Sequence, residues 1–341
     1  MAHVLVTGGA GYIGSVLTAE LLERGYNVTV LDRFFFGKES LAGYLDHPNL
    51  KLIKDDIREC RDTYFEGVDF VMDLAALSND PACDLDQQIA MDINYKGSLH
   101  VAKTAKKMGV KRYVFSSSCS VYGNTEEDVV TEKSEPKPIS TYAEAKVLLE
   151  QSVKPMADDK FCPVFLRNAT AYGYSRRMRF DLVVNVMTLN AFMKNRIYIL
   201  GGGHQWRPLV HIGDIVRAFI AAIESPRDKV CGQIFNVGTD EHNFKVHQVA
   251  NMVRSVFPQC EVDTIQEDPD RRSYHVNFDK IADTLDYKVS KTVFEGAVEV
   301  KQALERGKLT ATLKNRTLDY YKYLIEAKKV LDNVLLDGKV F

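Results

Sequence analysis

The sequence predicts an α/β fold, a doubly wound parallel Rossmann sheet with a smaller C-terminal lobe interleaved with it. Short apolar, β-branched runs alternate with longer amphipathic stretches through the first half of the 341 residues, as in a sheet with crossover helices. After about Thr170 this alternation breaks, and Arg-rich and Gly-rich segments follow. We therefore expect one domain over residues 1–168 and a lobe over residues 169–341, of which about 208–240 return to the sheet.

Six apolar runs predict strands, and the stretches between them predict helices. The strands are expected at Val4–Thr7, Val28–Leu31, Leu50–Lys54, Phe70–Leu74, Tyr113–Ser116 and Val164–Arg167. In the first helix, Ile13, Leu17 and Leu21 fall on one face, and Gly25 ends it. Later helices are expected at Asp86–Gly109, Tyr142 to about Asp158 and Gly213–Glu224, before a strand at Ile234–Val237.

Composition and charge exclude several classes of protein. The 44 Lys and Arg residues nearly balance 46 Asp and Glu without a long basic run, so neither nucleic acid nor a membrane surface is an expected partner. No apolar stretch reaches the roughly 18 residues of a membrane span, and the N-terminus lacks the pattern of a secretory signal. The six cysteines are widely and irregularly spaced, which favours reduced thiols in the cytoplasm and argues against a metal site.

A glycine-rich turn follows the first predicted strand, with the sequence Thr7-Gly8-Gly9-Ala10-Gly11-Tyr12-Ile13-Gly14. It fits G-x-G-x-x-G from Gly9 or G-x-x-G-x-x-G from Gly8. Such glycines allow a tight turn and a close approach of the backbone to a pyrophosphate, whose charge is met by amides at a helix N-terminus. A plain strand-to-helix turn is the alternative, because the motif alone has low specificity.

The ends of the next strands strengthen the dinucleotide interpretation. Asp32 ends the second strand, where a carboxylate can accept both hydroxyls of an adenosine ribose. This favours NAD, since Asp32 repels a 2′-phosphate, although Arg33 keeps NADP open. The fourth strand is followed by the small residues Leu74-Ala75-Ala76-Leu77, which suit a ligand lying across strand ends. Asp55 and Asp56, after the third strand, could instead be solvated turn residues.

A serine-rich strand end and a Tyr–Lys pair form the candidate catalytic set. The fifth strand ends in Ser116-Ser117-Ser118-Cys119-Ser120-Val121-Tyr122-Gly123, and the next helix begins with Tyr142 and Lys146 on one face. The ammonium group of Lys146 would stabilise a Tyr142 phenolate and lower its pKa, as a base that takes a proton from an alcohol requires. Tyr287 also has a lysine four residues on, but without a serine-rich strand end before it, so that pair is interpreted as coincidence.

With these motifs in order, the chain resembles the extended short-chain dehydrogenase/reductases, the NAD-dependent epimerase/dehydratase family acting on nucleotide sugars. The resemblance implies NAD as cofactor, a nucleotide-diphosphate sugar as substrate, and Ser118, Tyr142 and Lys146 as catalytic residues. The implied cofactor contacts are Gly8, Gly11, Tyr12, Ile13, Gly14, Asp32, Arg33, Asp56, Ile57, Leu74, Ala75, Ala76, Asn94, Tyr142, Lys146 and Ala169. The implied substrate contacts are Ser78, Ser118, Ser120, Tyr142, Thr170, Arg179, Asn185, Arg207 and Arg272.

The resemblance leaves the reaction open among several hypotheses. Dehydratases and decarboxylases of this family carry acidic residues just before the V-Y-G string, where this chain has Ser118, Cys119 and Ser120. We therefore favour a 4-epimerase, which oxidises the sugar at C4 through Tyr142 and returns hydride to the 4-keto sugar. The alternatives are a nucleotide-sugar 4-dehydrogenase or 4-ketoreductase with net NAD(H) turnover, and a non-catalytic NAD-binding sensor. The motifs of the second half resemble a branch that modifies sugars for polysaccharide biosynthesis.

Four further features carry expectations of their own. Cys119 is expected as a buried small residue rather than a thiol acid/base, and Phe34-Phe35-Phe36 as core packing rather than part of the adenosine pocket or an interface. The helices beginning near Asp86 and Tyr142 pair across a two-fold axis in relatives, which implies a homodimer. The near-neutral total hides a local surplus of cations that could hold a diphosphate, at Arg176, Arg177, Arg179, Arg207, Arg271 and Arg272.

Overall fold

The computed structural model describes residues 1–78, 80–267, 272–336 and 338–339. Its strands are β1 (His3–Thr7), β2 (Asn27–Asp32), β3 (Leu50–Lys54), β4 (Phe70–Asp73), β5 (Arg112–Ser118), β6 (Cys162–Asn168), β7 (Thr170–Tyr172), β8 (Arg196–Leu200), β9 (Trp206–His211), β10 (Ile234–Val237), β11 (Asn243–Lys245) and β12 (Glu261–Ile265). Its helices are α1 (Tyr12–Glu23), α2 (Asp80–Cys83), α3 (Gln87–Met91), α4 (Ser98–Lys107), α5 (Thr141–Val153), α6 (Val183–Lys194), α7 (Ile212–Glu224), α8 (Arg227–Val230), α9 (Val246–Val256), α10 (Asp279–Leu285), α11 (Val293–Glu305) and α12 (Thr317–Val334).

Seven parallel strands form the central sheet, in the order β10-β6-β5-β4-β1-β2-β3. Strands such as β1 are apolar on both faces because helices cover both, and Val4, Leu5 and Val6 are fully buried. The chain leaves β1 toward β2 on one side and continues from β4 on the other. Ligands of open α/β sheets bind where the strand order reverses in this way, outside the carboxyl ends of the strands. The predicted α/β fold class is confirmed.

Two predicted helices have different bounds in the structure. The single helix expected over Asp86–Gly109 consists of α3, a π-helical turn over Asp92–Gly97, and α4. The wider turn places Asn94 where its side-chain amide holds the backbone of Leu77 after β4. Helix α5 ends at Val153, followed by a 3₁₀ turn, so it is shorter than the predicted helix.

The second half adds two small sheets and one strand of the central sheet. Strand β10 pairs with β6. Strands β11, β9 and β7 form one small sheet, and β12 and β8 form the other. One apolar core runs through both halves, since Leu17 and Leu21 of α1 belong to the same cluster as Ile215 and Phe219 of α7. Among the described helices, none has the length and apolar character needed to cross a membrane.

Candidate functional site

A cavity opens at the reversal point between β1 and β4, and the glycine-rich turn forms its floor. Gly8 has a φ of +67°, and a Cβ there would lie 2.9 Å from the backbone nitrogen of Ala75. A Cβ on Gly14 would lie 2.1 Å from the carbonyl oxygen of Gly8. Glycine is therefore required at both positions for the turn to pack under the first turn of α1. The free N–H groups of that turn are suited to an anion.

The carboxylate of Asp32 stands on the wall of this cavity, which we call the cofactor cavity. It accepts N–H hydrogen bonds from Ala10 (3.0 Å) and Phe34 (2.7 Å), which fix its position. Arg33 lies beside it, but its guanidinium contacts Asp56 at 2.5 Å. Because Arg33 is paired in this way, it is not presented to a 2′-phosphate next to Asp32, and the ribose hydroxyls of NAD fit this carboxylate better.

Most of the predicted cofactor contacts line this one cavity. The lining includes Gly8, Gly11, Tyr12, Ile13, Gly14, Asp32, Arg33, Asp56, Ile57, Leu74, Ala75, Ala76, Tyr142 and Lys146. The packed glycine turn, the helix N-terminus and the ribose-binding position of Asp32 together fit a dinucleotide. The predicted contact Ala169 lies instead on the wall of a second cavity.

Sequence reasoning missed part of the wall of the cofactor cavity. Phe35 and Phe36, expected mainly as core packing, line the cavity close to Asp32. Arg177, from the loop after β7, and Tyr321, from α12, line the same region. Phe35 and Phe36 follow Asp32 closely and Arg177 belongs to the predicted surplus of cations, but none of the three was assigned to this cavity; Tyr321 carries no motif because it lies far along the sequence, in α12.

The second cavity adjoins the first and contains most of the predicted substrate contacts, so we call it the substrate cavity. Its lining includes Ser78, Ser118, Ser120, Tyr142, Thr170, Arg179, Arg207 and Arg272. Six residues line both cavities: Tyr142, Ile13, Ser78, Ser116, Ala171 and Arg179. Tyr142 therefore stands at the junction, where a reaction between a cofactor and a substrate would take place.

Helix α5 positions the predicted catalytic residues. Ser140 caps its N-terminus, with its hydroxyl accepting the N–H of Ala143 at 3.2 Å. The ammonium nitrogen of Lys146, one turn after Tyr142, lies 5.4 Å from the ring centre of Tyr142 and donates to the carbonyl of Ser116 at 2.7 Å. Ser118 ends β5, and its hydroxyl accepts the N–H of Ser120 at 3.1 Å.

The electrostatics of Tyr142 differ from the sequence-based expectation. Lys146 was expected to lower the pKa of Tyr142, but burial, with the Asp80 carboxylate second, raises it. Burial also lowers the pKa of Lys146 to about 8, although the charges of Asp73 and Glu150 oppose this effect. The reason is physical: both side chains lose water, and desolvation penalises the phenolate as well as the ammonium ion.

A buried ionic network that the sequence analysis did not identify lies beneath the predicted catalytic residues. Tyr142, Lys146 and Glu150 lie on one face of α5, at spacing i, i+4 and i+8. Glu150 forms a salt bridge with Arg167 at 2.6 Å, with both side chains less than 5% exposed. It also accepts the hydroxyl of Ser117 at 2.6 Å. Helix α5 is thereby fixed to the ends of β5 and β6, where Ser118 stands.

Two predicted contacts lie behind the cavity walls. Asn94 is fully buried, and its amide accepts from and donates to the backbone of Leu77. Asn185 is also fully buried and holds Gly173, Arg179 and Tyr12 by hydrogen bonds of 3.1 Å each. Both asparagines hold neighbouring backbone by hydrogen bonds, and neither belongs to the described lining of the two cavities.

Cys119 and Ser120, the two residues before the V-Y-G string, lie in different environments. The thiol of Cys119 points away from the substrate cavity and donates to the carbonyl of Arg167 at 3.2 Å, and burial raises its pKa. This geometry matches a buried small residue. Ser120 belongs to the lining of the substrate cavity, but its hydroxyl oxygen is buried and has no hydrogen-bond partner among the described residues.

A carboxylate that sequence reasoning missed also lines the substrate cavity. Asp80, at the start of α2, forms a salt bridge with Arg272 at 2.6 Å and accepts the hydroxyl of Ser140. Arg207 lines the same cavity and donates to the carbonyl oxygen of Trp206 at 2.9 Å. Arg179 is paired with Asp181 at 2.5 Å. Arg271 lies outside the described residues.

Comparison with known proteins agrees with this geometry. The sequence model of the NAD dependent epimerase/dehydratase family matches residues 4–238. UDP-glucuronic acid decarboxylase 1 of Danio rerio is 28% identical over 281 residues, which are 79% of this chain and 65% of that protein. The chain thus spans about two thirds of the length of that curated relative.

Two solved structures are similar over most of the chain. MoeE5 in complex with UDP-glucuronic acid and NAD is 26% identical, with a TM-score of 0.79, over 90% of this chain and 100% of that one. The UDP-glucose 4-epimerase of Thermotoga maritima with UDP-glucose is also 26% identical, with a TM-score of 0.79, over 89% of this chain and 99% of that one.

Proposed function

Since this chain belongs to the NAD-dependent epimerase/dehydratase family, we propose that it is an NAD-dependent nucleotide-sugar epimerase that acts at C4 of the sugar. One observation carries the proposal. Tyr142 lines both the cofactor cavity and the substrate cavity, one helical turn from the buried Lys146 and beside the Ser118 strand end. A base at this junction can take the proton of a sugar hydroxyl while hydride leaves the same carbon.

In this mechanism the residues of the chain bind and orient the sugar and transfer a proton. Bound NAD⁺ supplies the hydride acceptor and a positive charge on the oxidised ring. Ser118 accepts or donates a hydrogen bond at the reacting hydroxyl, and Tyr142 removes its proton. The ammonium group of Lys146 stabilises the phenolate of Tyr142, and the charges of Arg179 and Arg272 oppose the pKa increase that burial causes. For the return step Tyr142 gives the proton back to the sugar oxygen.

The substrate cavity supports a nucleotide-diphosphate sugar as the substrate. Arg207 and Arg272 lie on its wall, where guanidinium groups can bind a diphosphate bidentately. Ser118, Thr170 and Arg179 line the same cavity and can contact the sugar or the diphosphate. The carboxylate of Asp80 has its oxygens engaged by Arg272 and Ser140, which supports a structural role rather than the proton shuttle of an elimination.

The reaction type is tested by product analysis. The purified protein is incubated with NAD⁺ and a panel of UDP-, GDP-, dTDP- and CDP-sugars, with products separated by chromatography and NADH followed by absorbance. An epimerase yields the C4 epimer without accumulating NADH. Stoichiometric NADH would instead support the 4-dehydrogenase, and bound NAD without turnover the non-catalytic sensor. In a parallel incubation with NADH and a 4-keto sugar, consumption of NADH would support the ketoreductase.

Substitution of the base gives a second test. Tyr142→Phe should reduce kcat by about 10²- to 10⁴-fold, because the phenol can no longer exchange the proton. Tyr287→Phe is the matched control, since Tyr287 also has a lysine four residues on but lines neither cavity. A Tyr142→Phe enzyme with full kcat on a confirmed substrate would show that the mechanism is wrong.

We also propose a homodimer in the cytoplasm. Helices α3, α4 and α5 pack together on one side of the sheet, and Ile89 of α3 is 44% exposed there, which supports a contact between two copies of this face. A monomeric mass by light scattering would contradict the dimer.

All six cysteines are free thiols, as expected in a reducing compartment.

A further inference from the structure

We propose that the first turns of α12, together with Phe36 and Arg177, form a clamp over the adenosine end of the cofactor cavity that keeps NAD bound between turnovers. The clamp consists of Phe36, Arg177, Thr317 and Tyr321. The inference rests on the proposed function in one respect, the binding of NAD in this cavity. It concerns how the dinucleotide is retained and not the reaction at the sugar.

Three segments distant in sequence meet in the clamp. The ring of Phe36, four residues after Asp32, lies 5.7 Å from the ring of Tyr321, centre to centre. The guanidinium carbon of Arg177 lies 3.6 Å from the ring centre of Phe36. Phe36, Arg177 and Tyr321 all line the cofactor cavity. Since Asp32 stands beside them on the same wall, the clamp covers the end where the adenosine ribose binds.

Arg177 connects the clamp to the start of α12. One of its terminal nitrogens donates to the hydroxyl of Thr317, the fully buried first residue of the helix, at 3.1 Å, and the other donates to the carbonyl of Met178 at 3.3 Å. Its Nε has no hydrogen-bond partner among the described residues. Arg177 is only 6% exposed, and burial lowers its pKa to about 10.

Arg177 is therefore a cation at neutral pH that is held in a largely dry wall. A buried charge of this kind needs a counter-charge. The carboxylates of Asp181 and Asp32 partly offset the effect of burial on the pKa of Arg177, and Asp32 also lines the same cavity. The diphosphate of a dinucleotide would supply further negative charge close by. Aromatic faces at Phe36 and Tyr321 and a guanidinium group are the components that bind a nucleoside phosphate.

The placement of α12 makes it a cover for both cavities. Leu318 lines the substrate cavity and Tyr321, one turn later on the same side, lines the cofactor cavity. Beyond this turn the helix becomes exposed: Tyr323 is 55% and Val330 60% exposed. Because few buried contacts hold α12, its opening costs less free energy than unfolding of the sheet. Release of NAD would therefore proceed by lifting this helix.

The experiment measures NAD⁺ release and requires no sugar turnover. The full-length protein is loaded with NAD⁺ and freed of excess by gel filtration. Alcohol dehydrogenase and ethanol are then added, so that each released NAD⁺ appears as NADH absorbance. Wild type is compared with Tyr321→Ala and Phe36→Leu. Tyr323→Ala is the matched control, since this exposed tyrosine lies on the same helix but outside the clamp.

Tyr321→Ala and Phe36→Leu should each release NAD⁺ about 5- to 10-fold faster than wild type, as expected for the loss of one aromatic contact. Tyr323→Ala should release it at the wild-type rate. Unchanged release in both clamp variants, with folding verified by circular dichroism, would overturn the proposal. So would equal acceleration in Tyr323→Ala. Failure of the epimerase assay leaves this measurement unaffected, because released NAD⁺ is detected directly.

Discussion

Lys146 is the residue at which function and stability conflict most directly. Its side chain is 2% exposed, and burial lowers its pKa to about 8. The charged form of Lys146 is stabilised by a hydrogen bond to the carbonyl of Ser116 and by the negative charges of Asp73 and Glu150. A cation in this position supports a phenolate at Tyr142, but it is expensive to bury. Such strained, functional groups are where stability is commonly sacrificed for activity.

Lys146→Met should therefore change the pH dependence of stability. The unfolded chain keeps the lysine proton up to its ordinary pKa of 10.5, whereas the native protein loses it above about 8. Between these values the unfolded state binds more protons, so raising the pH stabilises the wild type but not the variant. Between about pH 8 and pH 9.5 the wild type should gain on the order of 2 kcal/mol relative to Lys146→Met.

Urea unfolding at several pH values measures this difference. The exposed Lys133 provides the control, because Lys133→Met should show the same pH profile as wild type. If the free energy of unfolding changed with pH in the same way in wild type and Lys146→Met, Lys146 would have the same pKa in the native and unfolded states. That result would contradict the prediction.

At the scale of elements, α5 depends on the buried ion pair between Glu150 and Arg167. Glu150→Gln leaves the guanidinium of Arg167 without its counter-charge and should lower the free energy of unfolding by about 3–5 kcal/mol. Glu326→Gln removes an exposed pair with Lys329, more than 60% exposed on both sides, and should cost less than about 0.5 kcal/mol.

Chemical denaturation measures the free energy of unfolding of both variants. The kcat of the enzyme, which depends on Tyr142, provides a second readout. A packing role for α5 predicts that Glu150→Gln also lowers kcat, because Tyr142 is then held less firmly. The double variant Glu150→Gln with Arg167→Met should recover part of the stability. If Glu150→Gln lowered the free energy of unfolding as little as Glu326→Gln does, the buried ion pair would not stabilise α5 as proposed.

The first half of the fold could be predicted because most of its strands are buried on both faces; the edge strand β3, with Lys51 and Lys54 exposed, is the exception. Such strands are continuous apolar runs, and each of the six appears within two residues of its predicted bounds. The small strands of the second half could not be predicted in this way. Strand β11 is the three-residue segment Asn243-Phe244-Lys245, and a polar strand of this length has no periodicity to detect.

Part of the geometry of the candidate site could be predicted from local sequence patterns, and part could not. Ser118, Tyr142 and Lys146 belong to local motifs whose spacing has a chemical meaning, and the structure places them around one junction. Glu150 and Arg167 could not be recognised, because a charged residue in a helix or strand normally faces water. Tyr321 lies more than three hundred positions after the glycine turn in the sequence, and only the fold brings the two together.

At the scale of the whole molecule, the two halves are connected by core packing and by a buried polar contact. The hydroxyl of Tyr12, in the first turn of α1, donates to the carbonyl of Gly173 at 2.7 Å and accepts from Asn185 at 3.1 Å. The core cluster that contains α1 also contains α7. The glycine turn and the substrate lobe therefore form one packed unit, and unfolding of one half exposes the core of the other.

Binding of NAD⁺ should accordingly stabilise the lobe as much as the sheet. The chain has a single tryptophan, Trp206, which lies in β9 of the lobe and stacks on His275, whereas far-UV circular dichroism reports the whole chain. NAD⁺ at about one hundred times its Kd adds roughly 2.7 kcal/mol to the free energy of unfolding. Because the unit is cooperative, urea midpoints from tryptophan fluorescence and from circular dichroism should rise together. A fluorescence midpoint unaffected by NAD⁺, with a second transition in circular dichroism, would show instead that the lobe unfolds independently of the cofactor-binding half.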